Sequence, residues 1–456
     1  MIDNTLFSSS SRYFILDNEK SYIYVTYIHV TFSIFVIDMR VLIVNTSERT
    51  GGAAIASNRL MHALNHNGVE AKMLVRDRKT DAANVATIPQ SMQLKTKFLW
   101  ERGVIWLANN LKKQNIFQVD IANCGTDITG MEEFKWADVI HLHWVNQGFL
   151  SMSNLDRILS SGKPVVITLH DQWYFTGICH YSGECVKYHS QCEKCPILKG
   201  SYMDLARQVF DRKRAIYKDK NITFVGCSRW MADLARQSAL TRGHTVTNIP
   251  NAIDTEVFTP MDKTAARMKF NLPQDMRLLL FGAQRITDKR KGFSFLVEAC
   301  QHISMHHPTL PGHLGVVVLG GDAASVKEAL PLPVYTVNYL SNEAEIAQLY
   351  NAADLFVTPS LQDNLPNTIV EAMACGVPCV GFNIGGIPEM ITHKQDGYVA
   401  DYCDSLDFAQ GIALCLNDTR LPALSAAARS AALAAYSEPV ASQRYQAIYQ
   451  QALDNH

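Results

Sequence analysis

The sequence predicts an α/β protein built from two Rossmann-like domains whose parallel sheets face a common cleft. Three observations predict it. At 456 residues the chain exceeds what one hydrophobic core organises. From Met39 onward, short and nearly continuous apolar runs alternate with amphipathic helical stretches, the pattern of parallel strands buried on both faces. That rhythm pauses once, in the polar, proline-containing stretch Asn248-Ile-Pro-Asn-Ala-Ile-Asp254, and then restarts. Hydrophobic residues make up 47% and charged residues 19%, a folded rather than a disordered composition. A formal net charge of −1 removes any global case for nucleic acid as a partner.

The elements follow in order. Arg40–Asn45 reads as the first strand, Ala54–Asn67 as a helix and Glu70–Val75 as the second strand. Ala137–His141, Pro164–Leu169, Ile222–Gly226 and Thr245–Ile249 complete the first sheet. After the pause, Arg277–Gly282, Gly315–Leu319, Val334–Val337, Asp354–Thr358 and Val377–Gly381 read as the strands of a second sheet. The chain then turns alanine-rich and helical, ending in Pro439–Leu453 with Tyr445 and Tyr449 four apart. The expected organisation is an extension of residues 1–38, domains of residues 39–247 and 248–436, and a C-terminal helix, residues 437–456, packing back on the first domain. Within the extension, Tyr22–Ile37 is too short and too interrupted for a membrane span, which needs about 20 apolar residues. It also lacks a small-residue cleavage site, so Met39 is read as the natural start, with a short membrane-touching anchor as the alternative.

In parallel sheets ligands sit beyond the carboxyl ends of the strands, so those positions carry the functional reading. Gly51 and Gly52, between the first strand and the first helix, let backbone approach a phosphate or a sugar. Arg285 and Lys291 follow the strand Arg277–Gly282, where a guanidinium fork and an ammonium suit a diphosphate; a solvated basic loop is the plainer alternative. After Thr358 a polar loop leads to a helix starting near Asn367, whose own N–H and that of Thr368 would be free for phosphate oxygens. Asp363 and Glu371 flank this helix start. Carboxylates beside an anion site make sense only if their partners are hydroxyl donors, and sugar and ribose hydroxyls qualify.

That segment, with the helix Glu371-Ala-Met-Ala-Cys-Gly-Val-Pro378, resembles the E-x7-E signature of family 4 retaining glycosyltransferases of the GT-B fold. The resemblance extends through Arg285 and Lys291, Asn251–Phe258, Tyr350–Asp354 and Gly385–Glu389, and runs from Met39 to the C-terminus. It is closest in kind to bacterial enzymes of exopolysaccharide (colanic-acid-like), capsule and O-antigen assembly. It implies an acceptor domain followed by a nucleotide-sugar domain. By it, Glu371 would bind the donor ribose, Asp363 the transferred sugar, and Arg285 with Lys291 the diphosphate. The sequence departs from the family in two places. Asp363 is one methylene shorter than the usual glutamate, and Pro366 removes an N–H from the phosphate loop, which puts the donor sugar in question.

His170 closes the strand Pro164–Leu169 and resembles the family histidine that contacts the donor sugar near the reacting carbon. Asp363 and His170 are therefore the catalytic candidates, and His143 and Trp173 secondary acceptor candidates, a buried structural role being the alternative for both. The resemblance implies retention without a protein nucleophile, the donor phosphate helping to deprotonate the acceptor, and no catalytic metal. The expected partners are a nucleotide-diphosphate sugar and a saccharide acceptor, lipid-linked in a membrane setting. A catalytically idle nucleotide-sugar-binding protein and a nucleotide-sugar 2-epimerase of the same fold are the competing readings.

Two further features stand apart. Cys179, Cys185, Cys192 and Cys195 fall within Thr176–Pro196 as C-x5-C and C-x2-C pairs, a set that suits structural Zn²⁺, with free thiols or two disulfides as alternatives. Leu94–Gln114 combines Lys95, Lys97, Arg102, Lys112 and Lys113 with Phe98, Trp100, Trp106 and Leu107, and Met203–Lys220 is a second basic helix. Such helices suit peripheral contact with the inner membrane on a cytoplasmic protein; a solvated helix face is the alternative.

Overall fold

The computed structural model describes residues 39–89, 92–200, 203–306 and 313–456. The expectations for residues 1–38 and for the side chain of Lys95 lie outside the described residues. Two parallel sheets organise the chain. The first contains β1 (Arg40–Ser47), β2 (Glu70–Asp77), β3 (Val85–Thr87), β4 (Val139–Leu142), β5 (Val165–Leu169), β6 (Ile222–Gly226) and β7 (Thr245–Asn248), in the order β3-β2-β1-β4-β5-β6-β7. The second contains β8 (Arg277–Gly282), β9 (Leu314–Leu319), β10 (Val334–Val337), β11 (Leu355–Thr358), β12 (Cys379–Phe382) and β13 (Gly397–Ala400), in the order β10-β9-β8-β11-β12-β13. Each sheet reverses direction of growth once, between β1 and β4 and between β8 and β11, which places a crevice at those strand ends.

The strand interiors explain the sheets. Leu42, Ile43 and Val44 in β1, Val166 and Ile167 in β5, and Leu278–Leu280 in β8 are buried against helices on both faces. The sequence reading departs from the observed elements at the edges. β3 has only three residues and β13 opens on glycine, so neither carries a long apolar run. β12 starts at Cys379 rather than Val377, because Pro378 between them has no N–H for the ladder.

The C-terminal helix, Glu438–Asp454, follows the second sheet in sequence but packs on the first. Tyr449 Oη lies 2.7 Å from His141 Nδ1, and Tyr445 Oη 3.0 Å from Thr168 Oγ1. Where the chain crosses between sheets, Ile253 N donates to Tyr436 O at 2.9 Å, so the outgoing and returning segments lie side by side. The second basic helix runs Leu205–Tyr217, and Lys213, read as part of a solvated face, is fully buried. Its ammonium is held by the carbonyls of Trp173, Thr176 and Gly177. No helix among the described residues is long and apolar enough to cross a membrane.

Candidate functional site

The helix Asn367–Ala374 follows β11, and Pro366 fixes its entry at φ −64°. No side chain caps it, so the first-turn N–H groups of Asn367 and Thr368 are the donors such a helix start offers an anion. One turn on, Glu371 is buried with both oxygens engaged. Oε1 accepts from Arg59 Nη2 at 2.8 Å, and Oε2 from the Tyr350 hydroxyl at 2.8 Å. Arg59 comes from the other side of the cleft, on the helix Gly52–His66, and its Nε donates to Glu343 Oε1 at 2.8 Å. Burial alone would weaken the charge on Arg59. Glu371 and Glu343 outweigh it and hold the guanidinium more firmly protonated than usual.

The loop before the helix is fixed by close backbone contacts. Gly385 has φ +60°, and a Cβ there would sit 1.8 Å from Asp363 O; one at Gly386 would sit 2.0 Å from Asn364 O. Only glycine lets this turn lie under the Asp363–Asn364 backbone. Asn364 then bridges the domains: its Nδ2 donates to the carbonyls of Leu169 and His170 at 3.1 Å, and its Oδ1 accepts from Ser228 Oγ at 2.7 Å. Lys291 Nζ reaches Asp363 Oδ2 at 2.7 Å, so one diphosphate candidate and one sugar candidate are already paired. Arg285 is exposed beside them. Across the cleft, Gly51 takes φ +93° at the start of the Gly52–His66 helix, and Asn367 Nδ2 donates to Gly52 O at 3.2 Å.

The candidate ligand groups line one cavity of about 850 Å³ between the strand ends. Gly51, Gly52, His170, Arg285, Lys291, Asp363, Asn367, Thr368 and Glu371 all contribute to its wall. Arg59, Trp144, Tyr181, Asn251 and Arg290 line it too and were not anticipated. Arg59 left a faint signal, the one charge in the otherwise uncharged first half of the helix Gly52–His66.

Two expectations require correction. Trp173 is 1% exposed and is a core residue, its Nε1 donating to Asp120 O at 2.9 Å, so it touches no ligand in the cleft. His143 is equally buried, and its Nδ1 lies 2.8 Å from His170 Nε2. It supports His170 from behind rather than facing an acceptor. His170 Nδ1 faces Cys227 Sγ at 3.5 Å, so both ring nitrogens of His170 have protein partners. Burial pushes His170 down to about 4, against the opposing pull of Asp171, and keeps the ring neutral near pH 7. Asp171 is oriented by Trp144 Nε1 (2.8 Å), His180 Nδ1 (2.7 Å) and Trp173 N (2.9 Å). Burial would raise its pKa, but His180 and these hydrogen bonds hold it below the usual carboxylate range.

The site thus offers hydroxyl acceptors, a phosphate-ready helix start and two cations, with a neutral histidine between them. This arrangement is suited to an anionic, hydroxyl-rich ligand and to stabilising negative charge that develops on a departing group. Among the described residues, no three His, Cys, Asp or Glu side chains stand together in a preformed metal shell.

Residues 276–418 match a family model described as "Glycosyl transferases group 1". The D-inositol 3-phosphate glycosyltransferase of Thermobispora bispora is 31% identical over 222 residues, covering 46% of this chain and 51% of that protein. The chain thus spans about half the length of such curated relatives. Among solved structures, the sucrose-phosphate synthase of Thermosynechococcus elongatus superposes with a TM-score of 0.64 at 18% identity, over 92% of this chain and 100% of that one. An Anabaena protein crystallised with UDP and glucose superposes with a TM-score of 0.58 at 17% identity, over 91% and 100%. The architecture is the GT-B-type α/β fold.

Proposed function

We propose that this chain is a retaining glycosyltransferase that moves a sugar from a nucleoside-diphosphate donor to a saccharide acceptor in cell-surface polysaccharide assembly. One observation carries the reading. Asp363 and Glu371 flank an uncapped helix start in the same cavity as Arg285 and Lys291, at the crevice where the two sheets reverse. In this reading Glu371 takes the ribose hydroxyls, Asp363 the transferred sugar, and Arg285, Lys291 and the helix start the diphosphate. His170 and its backbone, clamped by Asn364, form the wall behind the reacting carbon. Catalysis then rests on positioning and on stabilising the departing diphosphate. The family match over residues 276–418 and the glycosyltransferase relatives support it. The UDP and glucose held by the Anabaena protein make UDP-sugars the first donors to try.

The test is a panel of UDP-, GDP- and ADP-sugars, read by thermal shift and by donor hydrolysis. At least one donor should raise the melting temperature and be slowly hydrolysed. Binding without turnover would favour the idle-binder reading, and no binding at all would overturn the proposal.

A lipid-linked acceptor and peripheral membrane contact belong to the same reading. Leu99, Trp100, Leu107, Leu111 and Phe117 are each more than half exposed around the helix Met92–Ala108, with Lys112 and Lys113 exposed beside them. The basic side of this helix is not free as the sequence suggested. Lys97 donates to Gly125 O at 2.7 Å, and Arg102 to Asp120 at 3.0 Å. The apolar side is what could enter a bilayer surface. Burying each such side chain contributes about 1.5–3 kcal/mol, so replacing Leu99 and Trp100 by Ser should cut co-flotation with anionic vesicles at least about tenfold. Equal flotation of variant and parent would remove the membrane element.

A further inference from the structure

The loop between β5 and the helix Leu205–Tyr217 has almost no regular structure, yet it is closely held. Its four cysteines, Cys179, Cys185, Cys192 and Cys195, are all free, and all four line one small cavity of about 20 Å³. That volume holds roughly one small ion or water, too little for an organic ligand. The pairs come from opposite ends of the loop. Cys195 stands three residues after Cys192 and opens a turn closed by Leu198 N donating to its carbonyl oxygen at 3.2 Å. Gly177 N donates to Cys192 Sγ at 3.2 Å, the contact that suits a thiolate. Gly177 cannot carry a side chain, because its Cβ would lie 2.7 Å from Ala206 O and 3.0 Å from Cys192 Cβ.

A second observation points the same way. Lys213 is fully buried behind this loop, its ammonium held by three carbonyl oxygens and lying 3.6 Å from the centroid of the Trp173 ring, with no carboxylate in ion-pair contact among the described residues. Asp120 and Asp171 act on this ammonium from a distance, and a negative centre beside it would further offset the cost of burying its charge. Four thiolates around a divalent ion carry a net charge of about −2 and supply it.

We propose that Cys179, Cys185, Cys192 and Cys195 bind one Zn²⁺ as a structural tetrathiolate site, with Lys213 as its buried counter-charge. The four thiols give up their protons to solvent as the metal binds, and the loop must draw the four sulfurs closer together than they stand here to complete a shell. The site staples the loop that carries Tyr181 into the wall of the 850 Å³ cavity, so it orders part of the ligand site without touching the reaction.

The full chain, purified without chelator and desalted, should contain about one zinc per chain by elemental analysis. Replacing zinc by Co²⁺ should give the intense visible bands of a tetrahedral thiolate site. Cys195→Ser should lower both metal content and melting temperature. Should that variant fail to fold, the parent's metal content and cobalt spectrum still decide. Metal below about a tenth of an equivalent after incubation with zinc, with all four thiols open to a thiol reagent in the folded protein, would overturn the proposal. Disulfides among these cysteines in the native mass spectrum would do the same.

Discussion

Replacing Glu371 by Gln is expected to weaken donor binding by about 100-fold or more while leaving a folded protein. The reason lies in how the carboxylate is used. Its two oxygens already accept from Arg59 and Tyr350, and an ionised carboxylate has lone pairs left for two ribose hydroxyls. Glutamine turns one oxygen into a donor, which must face either the Arg59 guanidinium or the Tyr350 hydroxyl. Hydrogen bonds to a charged group contribute about 1.5–3 kcal/mol each, and two are lost toward the ribose. Arg59 is also left with Glu343 alone, a carboxylate over a third exposed, which should cost a further few kcal/mol of stability. Glu343→Gln is the control. It weakens the outer partner of Arg59 at a residue that also lines the cavity, so it should lower the melting temperature and reduce donor affinity far less than Glu371→Gln does. Calorimetric titration of whichever donor the panel identifies, with thermal unfolding of both variants, separates the two effects. Near-parental affinity in a folded Glu371→Gln would sink the role assigned to this residue.

The strands buried on both faces were legible because parallel sheets demand nearly unbroken apolar runs; β6 and β8 fall where those runs begin and end. That the candidate donor-side residues share one cavity was legible for a related reason. Each follows a strand, and the topology gathers strand ends at one crevice. What stayed hidden depends on contacts distant in sequence. Arg59 meets Glu371 across 312 positions, and Asn364 meets His170 across 194; no local pattern announces either. The histidine and tryptophan assignments failed on geometry of another kind. Successive residues past a strand end point to opposite sides, so beyond β4 His143 turns under the sheet end while Trp144 faces the cavity. Lys213 was misread because a basic run on a helix is usually solvated, and only the fold shows which of its members turns inward.

Lowering the pH from 6.5 to 5 is expected to destabilise the protein with a slope that steepens to about 2.7 kcal/mol per pH unit near pH 5. Three imidazoles meet at the ends of β4 and β5: His141 and His143 with ring centroids 4.2 Å apart, and His143 and His170 at 5.1 Å. His141 is satisfied by hydroxyls alone, Tyr449 at 2.7 Å and Thr168 at 2.8 Å, with no carboxylate to stabilise a charge. Burial pushes His141 down to about 3 and His170 to about 4. It holds His143 well below the ordinary histidine value, with the neighbouring rings adding to the effect. Unfolded, each titrates near 6.5, so below that pH the unfolded chain takes up three protons that the native state refuses. Because these native pKa values are depressed, the stability is present above 6.5 and is lost as the pH falls. Glu101 opposes this: burial and the neighbouring Asp120 keep its carboxyl protonated in the native state above the usual range, offsetting about one proton. A net of about two protons per molecule remains, each worth about 1.4 kcal/mol per pH unit. Denaturant unfolding at pH 7.5, 6.5, 5.8 and 5 measures the slope directly. In His141→Gln that slope should fall by about 1.4 kcal/mol per unit, and a slope that is flat in the parent or unchanged in the variant would refute the account. Donor binding should fail over the same window, because β5 carries His170, whose carbonyl Asn364 uses to hold the donor loop in place.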